Sequence, residues 1–100
     1  MQIFSGHLNA SDGMSAPVSF DGPSGWTVYK MQQTEVYQVR HNLNLSNPSA
    51  QFHVTVTGMT TWALPIVQSM SADTFNIVCR RSDNGGAMES DLMFVAVYNP

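Results

Sequence analysis

Two stretches near the end of the chain decide the fold: Thr-Phe-Asn-Ile-Val-Cys-Arg-Arg at residues 74–81 and Leu-Met-Phe-Val-Ala-Val-Tyr at residues 92–98. Between them, residues 82–86 read Ser-Asp-Asn-Gly-Gly, which is dense in turn-forming residues. Successive side chains of a strand point to opposite faces, so Phe75 and Ile77 share one face of the first stretch. We therefore predict two β-strands joined by a turn.

The second of these strands is apolar on both faces. A strand of this kind must be covered on both sides. In so short a chain, another subunit can cover the second apolar face. The pattern therefore points to an assembly. One face carries Leu92, Phe94, Ala96 and Tyr98, and the other carries Met93, Val95 and Val97.

The composition favours one β-rich domain spanning residues 1–100. Charged residues make up 11% of the chain and hydrophobic residues 43%, whereas about 25% of an average soluble domain is charged. Such low charge suits a β-protein with hydroxyl and amide surfaces, or one that hides much of its surface in an assembly. The net charge is -3 and no basic run is present, so we expect no nucleic-acid partner.

The cellular context follows from the cysteine count and from the hydrophobic runs. Cys79 is the single cysteine, so no disulfide within the chain and no C-x-x-C metal site is possible, and we expect a buried thiol. The first residues lack the basic region and the long apolar core of a signal peptide. No apolar run approaches the roughly 20 residues of a membrane span. We therefore expect a soluble protein, made in a reducing compartment, without membrane insertion.

Six further segments have β-strand character, and none shows a sustained helical period. With turn signals between them, they predict an all-β fold: a small antiparallel β-sandwich of six to seven strands. Within the sixth segment, Pro65 requires an edge strand or a bulge. The segments are residues 2–9, 17–20, 26–29, 34–40, 51–57 and 63–67.

The residue constellations used by enzymes are missing from the sequence. It contains no Gly-x-Ser-x-Gly elbow, no phosphate loop and no Gly-x-Gly-x-x-Gly motif. Most acidic residues fall in predicted turns, where Asp serves backbone geometry. Asp83 and Glu89 are the one pair that a bent loop would bring together for glycoside hydrolysis, but we favour a solvated loop for them. We therefore predict no catalytic activity.

Three histidines, His7, His41 and His53, lie on separate predicted strands. A zinc site needs three or four ligands at compatible spacing, so we expect surface or interface histidines and no metal or other cofactor. The acidic residues match no calcium loop either. One alternative stays open: in a symmetric trimer, one histidine near the axis becomes three, and His41 or His53 is then a candidate for holding a metal or a water cluster.

The polar cluster best suited to bind a ligand is Arg-Arg-Ser-Asp-Asn at residues 80–84. Guanidinium, carboxylate and amide groups at one strand end can chelate neighbouring hydroxyls or an anionic sugar. Alternatively, the arginines form salt bridges within the subunit or across an interface. An exposed tryptophan in a loop adds a stacking surface for the apolar C–H face of a sugar. The candidate ligand-binding residues are Arg80, Arg81, Asp83, Asn84 and Trp62.

Four elements follow one another within residues 34–100: Tyr-x-Val-x-His-Asn-Leu from Tyr37, Phe-x-Val-x-Val from Phe52, Ser-Ala-x-Thr-Phe-x-Ile from Ser71 and Phe-Val-Ala-Val-Tyr from Phe94. A Gly-rich loop precedes the last of them. In this order the elements resemble the C-terminal domains of bacteriophage tail fibres and related receptor-binding proteins. The resemblance implies a virion location and a receptor on the host cell surface.

The chain also resembles the H-type lectins, through Ser-Gly-His-Leu at residues 5–8, the turn Asp-Gly at residues 12–13, and Phe75 four residues before Cys79. That family forms small antiparallel β-sandwiches that assemble as trimers and bind N-acetylgalactosamine-type sugars at subunit boundaries. The resemblance implies Asp12, at the family's acidic turn position, as a sugar-binding residue. Ser82 and Asp83 stand where the family has an aromatic–histidine pair.

These observations lead to three alternative hypotheses for the function. The first is a phage tail-fibre tip: a non-catalytic homotrimer, made in the host cytoplasm, that joins other virion tail proteins and recognises a host surface glycan or receptor. The second is a structural virion protein, such as a decoration protein, a baseplate piece or a trimerisation cap, without a small-molecule ligand. A hydrolytic enzyme is the third. Whether residues 80–84 face solvent or a protein interface distinguishes the first two.

Overall fold

The chain folds as eight β-strands and one short helix in the computed structural model, which describes residues 1–9, 20–30, 36–88 and 90–100. Eight strands exceed the six to seven predicted, because both short segments, Phe20–Asp21 and Thr27–Lys30, pair as strands. Of the predicted segment 17–20, only Phe20 lies within the described residues. The strands are β1 (Gln2–Leu8), β2 (Phe20–Asp21), β3 (Thr27–Lys30), β4 (Val36–Arg40), β5 (Phe52–Gly58), β6 (Ala63–Met70), β7 (Thr74–Arg81) and β8 (Leu92–Tyr98), and the helix is α1 (Pro48–Gln51).

The strands form two four-stranded antiparallel sheets. Sheet A has the order β2-β1-β8-β5, and sheet B has the order β3-β4-β7-β6. The buried hydrophobic residues of both sheets join in one core between them. The predicted all-β class and its sandwich character are thus confirmed. None of the described residues forms a helix of the length and hydrophobicity that crossing a membrane requires.

The core follows the two-residue period of the strands. Phe75, Ile77 and Cys79, which share a face of β7, are fully buried. From sheet A, Phe52 and Phe94 pack into the same cluster, and the Phe75 and Phe94 rings meet edge to face at 5.5 Å. Full burial of each such side chain stabilises the fold by about 1.5–3 kcal/mol. The core residues of β7 and β8 thus recur at alternate positions, as strands with one face toward the core require.

The two faces of β8 differ in their surroundings. Leu92, Phe94 and Ala96 are buried against sheet B, as the alternation predicts. On the opposite face, Met93 is 45% exposed and Val95 is 48% exposed. The second apolar face of β8 is thus left open to solvent by the described part of the chain, and its cover by another subunit stays a prediction.

Strand β6 shows how a proline and a glycine shape the sheet edge. Pro65 lies in β6, an edge strand of sheet B, and the strand has an irregularity between Val67 and Ser69. After it, pairing with β7 resumes to the end of β6 at Met70, three residues beyond the predicted end. Gly58 ends β5 where the chain crosses to sheet B, and a Cβ there would lie 2.7 Å from the Cβ of Ala63. The chain therefore approaches itself so closely here that only glycine fits at position 58.

The sandwich has two ends with different connections. The loop end, as we call it, holds residues 59–62 between β5 and β6 and, between β7 and β8, residues 82–88 and 90–91. The opposite end holds residues 41–51 and the turn at residues 71–73. The helix α1 begins at Pro48, a residue that suits the first helical position.

His41, one of the two candidates for a metal site on a trimer axis, belongs to the core at the opposite end. Its backbone N–H donates to the Asp73 carbonyl oxygen at 2.8 Å, and its Nδ1 accepts from the Leu43 N–H at 3.0 Å. Its ring centroid lies 4.7 Å from that of Phe52. Burial lowers the pKa of His41, while Asp73 raises it to a smaller extent. His41 is therefore a packed core residue rather than a surface ligand.

Candidate functional site at the loop end

Trp62 occupies an unusual position in the turn between β5 and β6. The Ala63 N–H donates to the Thr60 carbonyl oxygen at 3.0 Å, and Trp62 has a φ of 73°. This is the pattern of a type II turn, whose third residue is usually Gly or Asn because its φ is positive. Trp62 is also 53% exposed. Neither turn geometry nor burial explains a tryptophan here.

The backbone holds Trp62 in this strained conformation. A left-handed conformation costs a residue with a Cβ about 1–2 kcal/mol, so neighbouring contacts must maintain it. The Trp62 carbonyl oxygen accepts a hydrogen bond from the Ser82 N–H at 2.7 Å. The buried Ser90 hydroxyl donates to Thr60 Oγ1 at 2.9 Å. Strain that is maintained by such contacts is often found at functional sites.

Arg81 and Asp83 form a two-pronged ion pair beside this turn. Arg81 Nε donates to Asp83 Oδ1 at 2.9 Å, and Arg81 Nη2 donates to Asp83 Oδ2 at 2.8 Å. The hydrogen bond from Arg81 lowers the pKa of Asp83, and the same contact raises the pKa of Arg81. Both side chains are therefore charged at neutral pH, and together they are electrically neutral. For Arg81, the salt bridge within the subunit is the alternative that the structure realises.

Asn84 shapes the loop that carries this pair. Its Oδ1 accepts from the Gly86 N–H at 2.8 Å, and the Gly85 N–H donates to the Arg81 carbonyl oxygen at 2.8 Å. Gly85 has a φ of 74°, which suits glycine. The polar loop is thus a defined turn, and the Asn84 amide oxygen is already used within it.

The structure brings together four of the six candidate residues and separates a fifth. Trp62, Arg81, Asp83 and Asn84 meet at the loop end, because Ala63 pairs with Arg81 and places the two turns side by side. Arg80 pairs with Leu64, and both are exposed on the outer face of sheet B. Alternation therefore directs Arg80 away from the ion pair. The sixth candidate, Asp12, lies outside the described residues, as does Glu89 of the possible acid pair.

This arrangement offers groups that can bind a ligand. A half-exposed indole offers an apolar face, and the ion pair offers donors and acceptors held in fixed geometry. Asp83 is engaged by Arg81, so it is not a poised general acid. Among the described residues, no group of three or more histidine, cysteine or acidic side chains is placed to hold a metal ion.

Sequence reasoning missed a second concave surface, on the outer face of sheet A. It is lined by residues of β1, β2, β5 and β8, including His7, Asp21 and Thr55. Alternation already directs His7 and Thr55 outward, but only the strand order β2-β1-β8-β5 shows that they are neighbours. The alternation within each strand thus shows which side chains point outward, but it does not show which strands are neighbours.

Comparison of the chain with protein-family models, with curated proteins and with solved structures finds no match in any of the three. The fold and the site describe an all-β sandwich domain with an exposed aromatic residue and an ion pair at one end.

Proposed function

We propose that this chain is a non-catalytic glycan-recognition domain that binds its ligand at the loop end. Trp62 carries the proposal, because it is half-exposed and occupies a turn position at which glycine would be less strained. Since half of this side chain is exposed and its turn position favours glycine, recognition of a ligand is the function that best accounts for it.

The chemistry of the loop end favours a neutral sugar. The C–H face of a pyranose stacks on the indole of Trp62, as apolar faces do on aromatic rings. The Asp83 carboxylate accepts hydrogen bonds from sugar hydroxyls, and the remaining N–H groups of Arg81 donate to sugar oxygens. Because the charge of Arg81 is already balanced by Asp83, an anionic sugar gains little over a neutral one.

The wider role that we propose is that of a phage tail-fibre tip with an H-type-lectin-like fold, located in the virion and recognising a host surface glycan. A binding surface on loops at one end of a rigid sandwich supports it. Exposed apolar side chains on the outer face of sheet B, such as Leu64 and Ile66, are the candidates for subunit contacts in a homotrimer. Three weak sites per trimer then act together through avidity.

Glycan binding is tested by titrating a panel of neutral oligosaccharides into the full chain by isothermal calorimetry. Trp62→Gly, which suits the turn, and Trp62→Phe, which keeps an aromatic face, form a matched pair. We expect Trp62→Gly to weaken binding at least tenfold and Trp62→Phe to weaken it less. Equal affinity of wild type and Trp62→Gly would place the glycan elsewhere.

The alternative of a structural virion protein is favoured by the exposed apolar side chains of Leu64 and Ile66 on sheet B and of Met93 and Val95 on sheet A. Patches of this kind mark protein interfaces. This alternative requires no glycan affinity at all. An absence of binding across the whole panel, by the wild-type chain, would therefore support it over glycan recognition.

Assembly is tested separately by light scattering at micromolar concentration. Three times 11.0 kDa is the mass expected for the homotrimer. Ile66→Glu and Val95→Glu place one charge on each outer face, and the variant that dissociates the assembly identifies the interface. A monomeric wild-type chain would contradict the trimer without deciding on the glycan.

A further inference from the structure

A cavity of about 340 Å³ opens on the outer face of sheet A. Trp62, in contrast, precedes an edge strand of sheet B, so the cavity belongs to a different surface from the loop end. Its volume lies at the lower end of the range of small-molecule sites, which is about 300–1,000 Å³. A ligand or fragment no larger than one or two sugar rings is therefore the appropriate size.

The strand register builds the cavity from two rows of side chains. In the first row, Val95 of β8 has Ser5 of β1 on one side and Thr55 of β5 on the other. The second row has Met93 at its centre, with His7 and Thr57 as its neighbours. An apolar strip on β8 is thus bordered on both sides by hydroxyl or imidazole groups.

Strand β2 adds a carboxylate to this border. Asp21 pairs with His7 and lines the same cavity. Among the described residues that line the cavity there is no Lys or Arg. An anionic ligand would therefore find a carboxylate and no balancing cation, which disfavours anionic ligands.

His7 has a hydrogen-bonding group without a partner. Its Nε2 is buried and has no hydrogen-bond partner among the described residues. Leaving such a group unpaired costs about 1–3 kcal/mol, and each case in a folded protein calls for a reason. A ligand in the cavity that His7 lines is a candidate partner for this nitrogen once the imidazole turns about χ2.

We propose that this cavity is a second binding site, for a single neutral sugar residue. Hydroxyls of Ser5, Thr55 and Thr57 exchange hydrogen bonds with sugar hydroxyls, and the Asp21 carboxylate accepts from them. The apolar face of the sugar ring packs on Met93 and Val95. The site shares none of its residues with the loop end, so it binds sugar whether or not Trp62 does.

The experiment is an NMR titration of the uniformly ¹⁵N-labelled full chain with methyl glycosides of glucose, galactose, mannose and N-acetylgalactosamine. We expect saturable amide shifts at Ser5, Thr55 and Thr57 with at least one of these probes. Thr55→Val removes a hydroxyl from an exposed strand position while keeping β propensity, so the fold persists. We expect it to weaken binding about three- to tenfold, the loss of one neutral hydrogen bond.

Two controls separate this site from the loop end. Thr27→Val changes an exposed strand threonine of sheet B, and we expect unchanged affinity at the cavity. Trp62→Gly is likewise expected to leave the shifts on β1 and β5 in place. If all saturable shifts fall on residues 60–62 and 81–86, the second site is refuted while the loop-end function survives.

Three other results would also overturn the second site: no saturable shift at the cavity with any probe, equal affinity of Thr55→Val and wild type, or shifts of cavity residues that depend on protein concentration without sugar. The last result would assign this face to a second copy of the chain.

Discussion

The two tryptophans of this chain lie at opposite ends of the sandwich and have opposite relations to its stability. Trp26 is 8% exposed, and its ring stacks on Phe94 at a centroid distance of 5.8 Å. Trp62 is 53% exposed and has a positive φ. Burial of Trp26 stabilises the fold, whereas the conformation of Trp62 costs stability. The same residue type thus marks the core at one end and a candidate binding surface at the other.

The polar groups around the two residues differ in the same way. Near Trp26, the backbone N–H groups of His41 and Asn42 donate to the Asp73 carbonyl oxygen, and the Asn44 N–H donates to Asp73 Oδ1. These hydrogen bonds join the segment after β4 to the turn between β6 and β7. Near Trp62, the Arg81–Asp83 pair lies at the surface, where a ligand can reach it. At the Trp26 end, polar groups are used in hydrogen bonds within the fold. At the Trp62 end, they are exposed and available to a ligand.

The largest effect is expected for Trp26→Ala. Removing a buried tryptophan from an aromatic cluster costs about 3–5 kcal/mol of unfolding free energy, whereas Trp62→Ala, at a half-exposed position, should cost much less. Urea unfolding followed by circular dichroism measures both. A loss for Trp62→Ala as large as that for Trp26→Ala would remove the contrast between the two ends.

The next effect is a pH dependence that originates at the Trp26 end. Burial lowers the pKa of His41 in the folded chain, so below about pH 6.5 the unfolded chain binds the proton more readily. The stability that comes from a neutral His41 is therefore complete above that pH. As the pH drops toward the lower folded pKa, the unfolding free energy falls by at most about 1.4 kcal/mol per pH unit. Urea unfolding between pH 7.5 and 5 measures the slope.

Two variants assign this slope to one residue. His41→Phe should flatten it even where it lowers stability, because the titrating group is gone. His53→Gln changes an exposed histidine of β5 and should retain the slope. If the slope persists in His41→Phe, the acid sensitivity comes from another group.

A smaller gain is expected for Trp62→Gly. Glycine removes the strain of the left-handed conformation, but it loses more conformational entropy on folding. We therefore expect a net gain of about 0.5–1 kcal/mol in unfolding free energy. Trp62→Asn, the other residue suited to this turn position, provides a second comparison. A loss of stability in both variants would show that the indole supports the fold, and Trp62 would then need no ligand to explain it.

The smallest effect on stability is expected for Asp83→Asn. Exposed ion pairs contribute little to stability, so the midpoint of urea unfolding should stay where it is in the wild-type chain. Glycan affinity at the loop end should nevertheless fall, because a carboxylate acceptor is lost and Arg81 is left uncompensated. A shifted midpoint with unchanged affinity would make the pair a structural element instead.

Much of the fold is readable from the sequence because the strands bury alternate residues. Both β7 and β8 begin and end at the predicted residues, since each has a regular apolar pattern bounded by turn formers. Pro65 correctly indicated an edge strand. Strand β6 ran past the predicted end at Val67, because pairing with β7 resumes after an irregularity that no local pattern reveals.

The candidate site was predictable in part. Turn formers after β7 pointed to Arg81, Asp83 and Asn84, because glycine-rich turns hold polar side chains at a surface. The positive φ of Trp62 was not predictable, since it depends on the hydrogen bond from Ser82, twenty residues along the chain. The cavity on sheet A was likewise hidden, since it needs the pairing of β8 with both β1 and β5.

The pairing of β1 with β8 also fixes how the domain carries mechanical load. Gln2 lies opposite Tyr98 at the end of the sandwich away from Trp62. Tension applied between the two chain ends would open the ladder one hydrogen bond at a time, as in unzipping. Tension between one chain end and a ligand held at the loop end runs along the strands, so it shears many hydrogen bonds at once. Under the proposed function, a receptor bound at the loop end would pull along this second axis, which loads the hydrogen bonds of the ladder in shear.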